Sequence, residues 1–87
     1  MQILNQKLTK LYYSIGEVAE MFDVNSSLIR FWEKEFSILK LKKNKKGNRM
    51  FMAKDIHNLE LIYDLVKNKG FTLEGANNRI SELHKGK

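Results

Sequence analysis

Two short apolar periodicities, separated by a break of only three or four residues, constrain this chain more than any other feature. In "SIGEVAEMF", Ile15, Val18, Ala19 and Phe22 recur at helical spacing, and Ser14 followed three residues later by Glu17 is a capping-box pattern. In "SLIRFWEKEF", Leu28, Ile29, Trp32 and Phe36 share one helical face while Ser27, Arg30 and Lys34 point elsewhere. Between them lies "DVNSS", a tight polar break in which Asn25 or Ser26 can cap the second helix. The spacing predicts a helix over 15–22 and another directly after the break. Such a pair forms a helix-turn-helix unit, whose second helix can enter a DNA major groove, although helical hairpins also arise for packing reasons alone.

The next segment narrows the choice. "ILKLK" alternates apolar and cationic residues, "KNKKGN" supplies Asn and Gly for a turn, and "RMFM" can return as a partner strand. This predicts a β-hairpin directly after the second helix, a wing with cations on its rim and tip. Its charge is unusual. The chain is formally +6, with 16 Lys and Arg against 10 Asp and Glu. Six of those cations (Lys40, Lys42, Lys43, Lys45, Lys46 and Arg49) lie in one stretch that holds no acid, so the remainder of the chain balances. A solvated charged turn is the default reading of such a run. Its place on a wing, and its hold on the whole net charge, favour a surface for phosphate.

The rest of the pattern is support. In "AKDIHNLELIYDLVKNKG", Ile56, Leu59, Leu61, Ile62, Tyr63, Leu65 and Val66 give one helix a wide apolar face, with Gly70 placed to end it. Thr72 then caps a last helix carrying Leu73, Ala76, Ile80 and Leu83. The fold class is therefore mainly α, a winged helix-turn-helix of about four helices with a two-stranded hairpin after the second. We divide the chain into an N-terminal extension at 1–11, the winged helix-turn-helix domain at 12–83 and a frayed tail at 84–87. At 87 residues there is material for one modest core. The absence of cysteine removes disulfides, thiolate metal sites and thiol nucleophiles together. His57 and His84 have no second ligand at metal spacing, no cofactor is implied, and no Ser, His and acid combination points to catalysis, so an enzyme is not expected. The opening "MQILNQKLTKLYY" lacks the features of a secretory signal, and no apolar run is long enough to cross a bilayer, which together predict a cytoplasmic protein.

With these elements in order, the chain resembles the DNA-binding domain of MerR-family transcriptional regulators. The resemblance rests on three stretches in register: "YSIGEVA" from Tyr13 to Ala19, "IRFWE" from Ile29 to Glu33, and, less closely, "GNRMF" from Gly47 to Phe51. It covers roughly 12–83. The resemblance implies sequence-specific binding of double-stranded DNA, with Arg30 and its neighbouring aromatics meeting DNA from the recognition helix and Arg49 gripping a phosphate from the wing. The candidate contact set is Ser26, Ser27, Arg30, Phe31, Trp32 and Lys34 from the second helix, with Lys42, Lys43, Lys45, Lys46, Asn48 and Arg49 from the hairpin. Within it, Trp32 lies on the packing face and would reach out only by its indole edge, Phe31 is the better exposed aromatic, and Arg30 has a local alternative in pairing with Glu33 or Ser26.

Departures from the family pattern carry consequences. Phe31, Trp32, Asn48 and Phe51 stand where the family has tyrosine, so hydroxyl contacts to phosphate are lost at four places, with the wing lysines as a less directional substitute. Met52 stands where relatives have Ser or Thr, so the helix starting near Ala53 looks poorly capped, with Asp55 offering only a favourable charge. Tyr12 and Tyr13 can brace the first helix or reach the backbone of the nucleic acid. RNA polymerase is a further partner the resemblance implies, and a homodimer is expected if the parent protein carries a long C-terminal dimerisation helix. As an 87-residue chain it is expected to be chiefly monomeric and to bind one half-site weakly, with Ile3, Leu4, Leu8 and Leu11 as the contact if it pairs. It reads as a piece of a longer regulator or a naturally short relative, with excisionase-type winged helices the nearest other group. Two other functions compete: a protein-interaction module using the aromatic second helix and basic hairpin, and a binder of structured RNA.

Overall fold

The Ser14 and Glu17 side chains close the first helix as their spacing requires. Ser14 Oγ accepts from the Glu17 N–H at 3.2 Å, and Glu17 Oε1 accepts from the Ser14 N–H at 2.9 Å. Lys10 adds an ion pair to the same carboxylate at 2.6 Å. The Lys10 bond, followed by that from Ser14, holds the Glu17 carboxyl below its ordinary value. Helix α1 (Ile15–Phe22) ends at Asp23, whose left-handed φ of 55° lets the chain reverse. Three residues later α2 (Ser26–Glu35) begins. Asn25 occupies its N-cap position with an extended backbone, but its side chain makes no capping bond, which leaves first-turn N–H groups of α2 without that partner.

In this computed structural model, residues 9–39 and 41–85 are described, with side chains as far as Leu83. Ile3, Leu4, Leu8, Lys40 and the last tail residues lie outside the described residues, and so do the expectations placed on them. After α2 the chain forms the predicted hairpin, β1 (Lys42–Lys43) with β2 (Arg49–Met50), antiparallel, with Lys42 opposite Met50 and Lys43 opposite Arg49. Then come α3 (Ala53–Tyr63) and α4 (Leu73–Lys85).

The core joins the helices to the segments that flank the hairpin. Val18, Ala19 and Phe22 of α1, Ile29 and Trp32 of α2, Phe36 and Leu39 after it, Phe51 after β2, Ile56, Leu59 and Ile62 of α3, and Ala76 and Ile80 of α4 are buried together. Tyr63 joins the first two helices to the third. Its ring lies 5.8 Å from that of Phe22 and meets Trp32 edge to face at 6.3 Å. A backbone bridge that the sequence pattern did not show fastens the wing to the start of the domain: Tyr13 N–H donates to Phe51 O at 2.8 Å, and Phe51 N–H to Tyr13 O at 2.9 Å. Tyr13 itself is buried, and its hydroxyl accepts from the Lys10 N–H at 2.9 Å. Of the two readings left open for the tyrosines, Tyr13 takes the bracing one.

Three expectations need correction. The apolar run 56–66 is not one uniform helix, because α3 widens into a π-helical turn over Asp64–Asn68, closed by Lys69 N–H on Asp64 O at 2.9 Å. An apolar face defined by spacings of three and four tolerates that extra residue, so the pattern could not reveal it. Asp64 also holds Asn68 and Lys69 with its side chain, chiefly Asn68, which draws its carboxyl below the ordinary value. Gly70 comes next in the left-handed region at φ 71°, in its predicted terminating role. Leu83 keeps the apolar spacing of α4 but is 43% exposed, because the helix runs on past the core that ends at Ile80.

The third correction is at Met52. Asp55 does more than supply charge: its Oδ2 accepts from the Met52 N–H at 2.9 Å, so half of a capping box is present and the carboxylate is itself buried at 4% exposure. A further cap serves α4, where Thr72 Oγ1 accepts from the Gly75 N–H at 3.0 Å. Replacing Asp55 by Ala is expected to cost about 1–2 kcal/mol, since it orphans a helix-start donor. Met52→Ser, which supplies the missing acceptor on a residue only half-buried, should stabilise by about 0.5–1 kcal/mol. Urea unfolding of the two variants checks both signs, and a destabilised Met52→Ser would show that the Met52 side-chain contacts outweigh the added cap.

Candidate nucleic-acid interface

Burial of one face of α2 decides what the other face offers. With Ile29 and Trp32 turned into the core, Ser27, Arg30, Phe31 and Lys34 are left exposed at spacings of three, one and three, a single stripe along the helix. Phe31 is 42% exposed and is the aromatic that α2 presents to solvent. Ser26 is half-buried at the start of the helix. Trp32 leaves the candidate set. At 1% exposure and packed against Tyr63, it has no surface to offer a ligand.

The hairpin is organised rather than loose. Asn44 N–H donates to Asn48 O at 2.9 Å, and Gly47 N–H returns to Asn44 O at 2.9 Å. The Asn44 side chain does the remainder, its Oδ1 accepting from the N–H groups of Lys46 at 2.9 Å and Asn48 at 3.0 Å. Gly47 adopts φ 83°, which a residue with a Cβ takes only at a cost. Lys42, Lys43, Lys45, Lys46 and Asn48 are all exposed on this frame. The two tyrosine replacements at Trp32 and Phe51 are core positions, Phe51 being fully buried. Of the four positions at which a hydroxyl is expected to be lost, Phe31 and Asn48 are the exposed ones.

Between the stripe of α2 and the base of the wing runs an open groove lined by Ser27, Arg30, Phe31, Glu33, Lys34, Leu39 and Arg49. Arg49 is not a free cation. Its Nε donates to Glu33 Oε1, across 16 residues of sequence, and the pair is half-buried. Glu33 thus serves Arg49 and not its helical neighbour Arg30, which stays exposed. Sequence reasoning missed Glu33 as a site residue because i,i+3 spacing offered Arg30 as a nearer partner. The acid in "IRFWE" was the one available signal. At the far end of α2, Asn77 of α4 donates to the Glu35 carbonyl at 2.8 Å and satisfies one of the open acceptors there. Among the described residues no cluster of His, Cys, Asp and Glu could hold a metal ion, and no helix is long and apolar enough to cross a membrane.

Comparison with known proteins gives a consistent set of relatives. Residues 13–83 match the model of the MerR HTH family regulatory proteins. The HTH-type transcriptional regulator MlrA of Escherichia coli (strain K12) is 34% identical over 56 residues, covering 64% of this chain and 23% of that protein. Among solved structures, HiNmlR, a MerR family regulator lacking the sensor domain and bound to promoter DNA, superposes with a TM-score of 0.67 at 30% identity, over 82% of this chain and 55% of its own. A MerR family transcriptional regulator from Bacillus cereus gives a TM-score of 0.70 at 30% identity, over 80% of this chain and 52% of its own. The chain therefore spans less than a quarter of the length of MlrA and about half of each structural relative.

The frame of the hairpin tip makes its own prediction. Asn44→Ala removes the acceptor shared by two backbone donors and should release the tip at a cost of about 1 kcal/mol. Hydrogen exchange would report it as faster exchange at Lys46 and Asn48 with the α3 amides unchanged. Unchanged protection at those two amides would mean that the backbone bonds hold the turn alone.

Proposed function

The chain belongs to the MerR helix-turn-helix family of regulatory proteins, and we propose that it binds double-stranded DNA as the reading head of a transcription regulator. The observation that carries this is convergence: the exposed stripe of α2 and the base of the basic wing border one groove. A ten-residue helix with its polar side outward fits the width of a major groove. In that mode Arg30 faces base edges, Phe31 offers an apolar surface to a thymine methyl or a sugar, and Ser26, Ser27 and Lys34 border the backbone. Lys42, Lys43, Lys45 and Lys46 lie against flanking phosphates and release counterions on binding, with Asn48 beside them. In this reading the chain acts in the cytoplasm, by binding and not by catalysis.

The competing reading, a protein-interaction surface, loses its main anchor with Trp32 in the core. Assembly is part of the same proposal, since two-fold regulators place two reading heads on two half-sites. A titration against one and two half-sites reads whether copies of this chain do so, and RNA polymerase is the partner such an assembly would present DNA to.

Arg30 and Lys43 are the discriminating pair. Arg30→Ala should cost about 1–3 kcal/mol on a duplex selected from a random pool and relax preference at one position. Lys43→Ala should weaken selected and scrambled duplexes alike and reduce the salt slope by about one unit. The check is fluorescence anisotropy at several salt concentrations. Equal, sequence-independent losses for both would move Arg30 to backbone positioning, and affinity indifferent to salt would remove DNA as the ligand.

A further inference from the structure

We infer that Glu33 is a positioning residue for DNA: it fixes the Arg49 guanidinium between α2 and the wing, so that an acidic side chain on a DNA-facing surface strengthens binding. The inference rests on the DNA-binding reading above. It starts from an apparent conflict. Glu33 lines the same groove as Arg30, Lys34 and Arg49, and a carboxylate there repels phosphate. Elementary electrostatics makes it a defect in the site.

The pairing removes the conflict. The side chains of Arg49 and Glu33 are 27% and 19% exposed, against 54% and 42% for Lys10 and Glu17 and 53% and 71% for Arg79 and Glu82. Exposed pairs of the latter kind contribute little. The Arg49 pair is drier, and it joins two separate elements, β2 and α2. The bond uses Nε, and among the described residues the Nη groups of Arg49 make no hydrogen bond. A guanidinium held by one edge keeps its other donors in a fixed plane, which suits a phosphate oxygen. Without Glu33 the same side chain would have to give up its rotamer freedom on binding.

The wing needs such a fastening. Its strands pair over only two residues each, too few to be rigid on their own. At its base the Tyr13 to Phe51 bridge holds the backbone, and the Glu33 to Arg49 pair is the ionic link from the recognition helix. Two effects of Glu33 therefore have opposite signs: repulsion of phosphate, and placement of Arg49. The second outweighs the first, because the carboxylate is largely neutralised and partly dry.

The test is anisotropy titration of the wild-type chain, Glu33→Ala, Glu33→Gln, Arg49→Ala and the Glu33→Ala/Arg49→Ala double variant, against a selected and a scrambled duplex. Circular dichroism at the titration temperature confirms that each is folded, and if Glu33→Ala is not, Glu33→Gln carries the comparison alone and in combination with Arg49→Ala. Glu33→Ala should lose about tenfold in affinity for the selected duplex, and the double variant should bind no more weakly than Arg49→Ala, because with the guanidinium gone only the repulsion by Glu33 is left to remove. Glu33→Gln, which keeps an acceptor oxygen at the same place, should lose less than Glu33→Ala. Tighter binding of every duplex by both Glu33 variants would overturn the inference, because simple charge removal would then dominate. Losses that multiply in the double variant would overturn it as well. If the wild-type chain bound neither duplex, the DNA-binding reading itself would fail.

Discussion

The burial of Trp32 is the constraint on which the rest depends. A helix of ten residues has one face to give to the core, and the largest side chain on α2 claims it by packing edge-on against Tyr63 while Ile29 lies beside it. That choice fixes the rotation of α2 about its own axis. Rotation by one residue would bring Glu33 or Phe31 inward and place an ionised group, or a second large ring, in space already filled. The exposed stripe of Ser27, Arg30, Phe31 and Lys34 is therefore a consequence of packing, and the surface offered to a ligand is held as firmly as the core.

The wing is fixed by a different kind of interaction. It contributes little apolar surface of its own, and Phe51 at the end of its return is the residue that enters the core. Backbone bonds to Tyr13 on one side and the ion pair to Glu33 on the other then locate its base. Beyond the base, order depends on Asn44 and the left-handed Gly47. The contacts that hold the wing thus thin from the core outward, in the direction in which Lys45 and Lys46 lie.

What could be read from the sequence divides along the same line as local and distant interactions. The capping box of α1, the short turn, the stripe of α2, the hairpin and the terminating Gly70 all depend on residues within a few positions of one another, and all appear as predicted. The links that join elements do not. Tyr13 meets Phe51, Glu33 meets Arg49 and Asn77 meets Glu35 across distances in sequence that no periodicity encodes. Trp32 illustrates the intermediate case. Its helical position favoured packing, while the motif it belongs to favoured contact, and only the position of Tyr63 shows that the packing face takes the whole ring. The π-helical turn after α3 escaped for another reason: an apolar face broad enough to fit an α-helix also fits one with a residue inserted.

The division of cations between Lys and Arg follows this thinning of contacts. A guanidinium is useful where its plane can be held, and Arg49 stands at the base of the wing, where Glu33 holds it. An ammonium group acts as a point charge over roughly the 8–10 Å of a Debye length and needs no fixed orientation. Lysines consequently suit the exposed tip, where Lys45 and Lys46 stand on a frame of a few backbone bonds. In the proposed mode the tip supplies attraction that is indifferent to sequence, while discrimination falls to Arg30 and Phe31, on the element whose rotation Trp32 has set. A hairpin this small could not carry directional contacts at its end, and a helix packed this firmly has no need of charge density. The lysines of the wing suit a part of the fold where charge is of use without a fixed orientation, whereas Arg49 at its base is the cation whose plane is held.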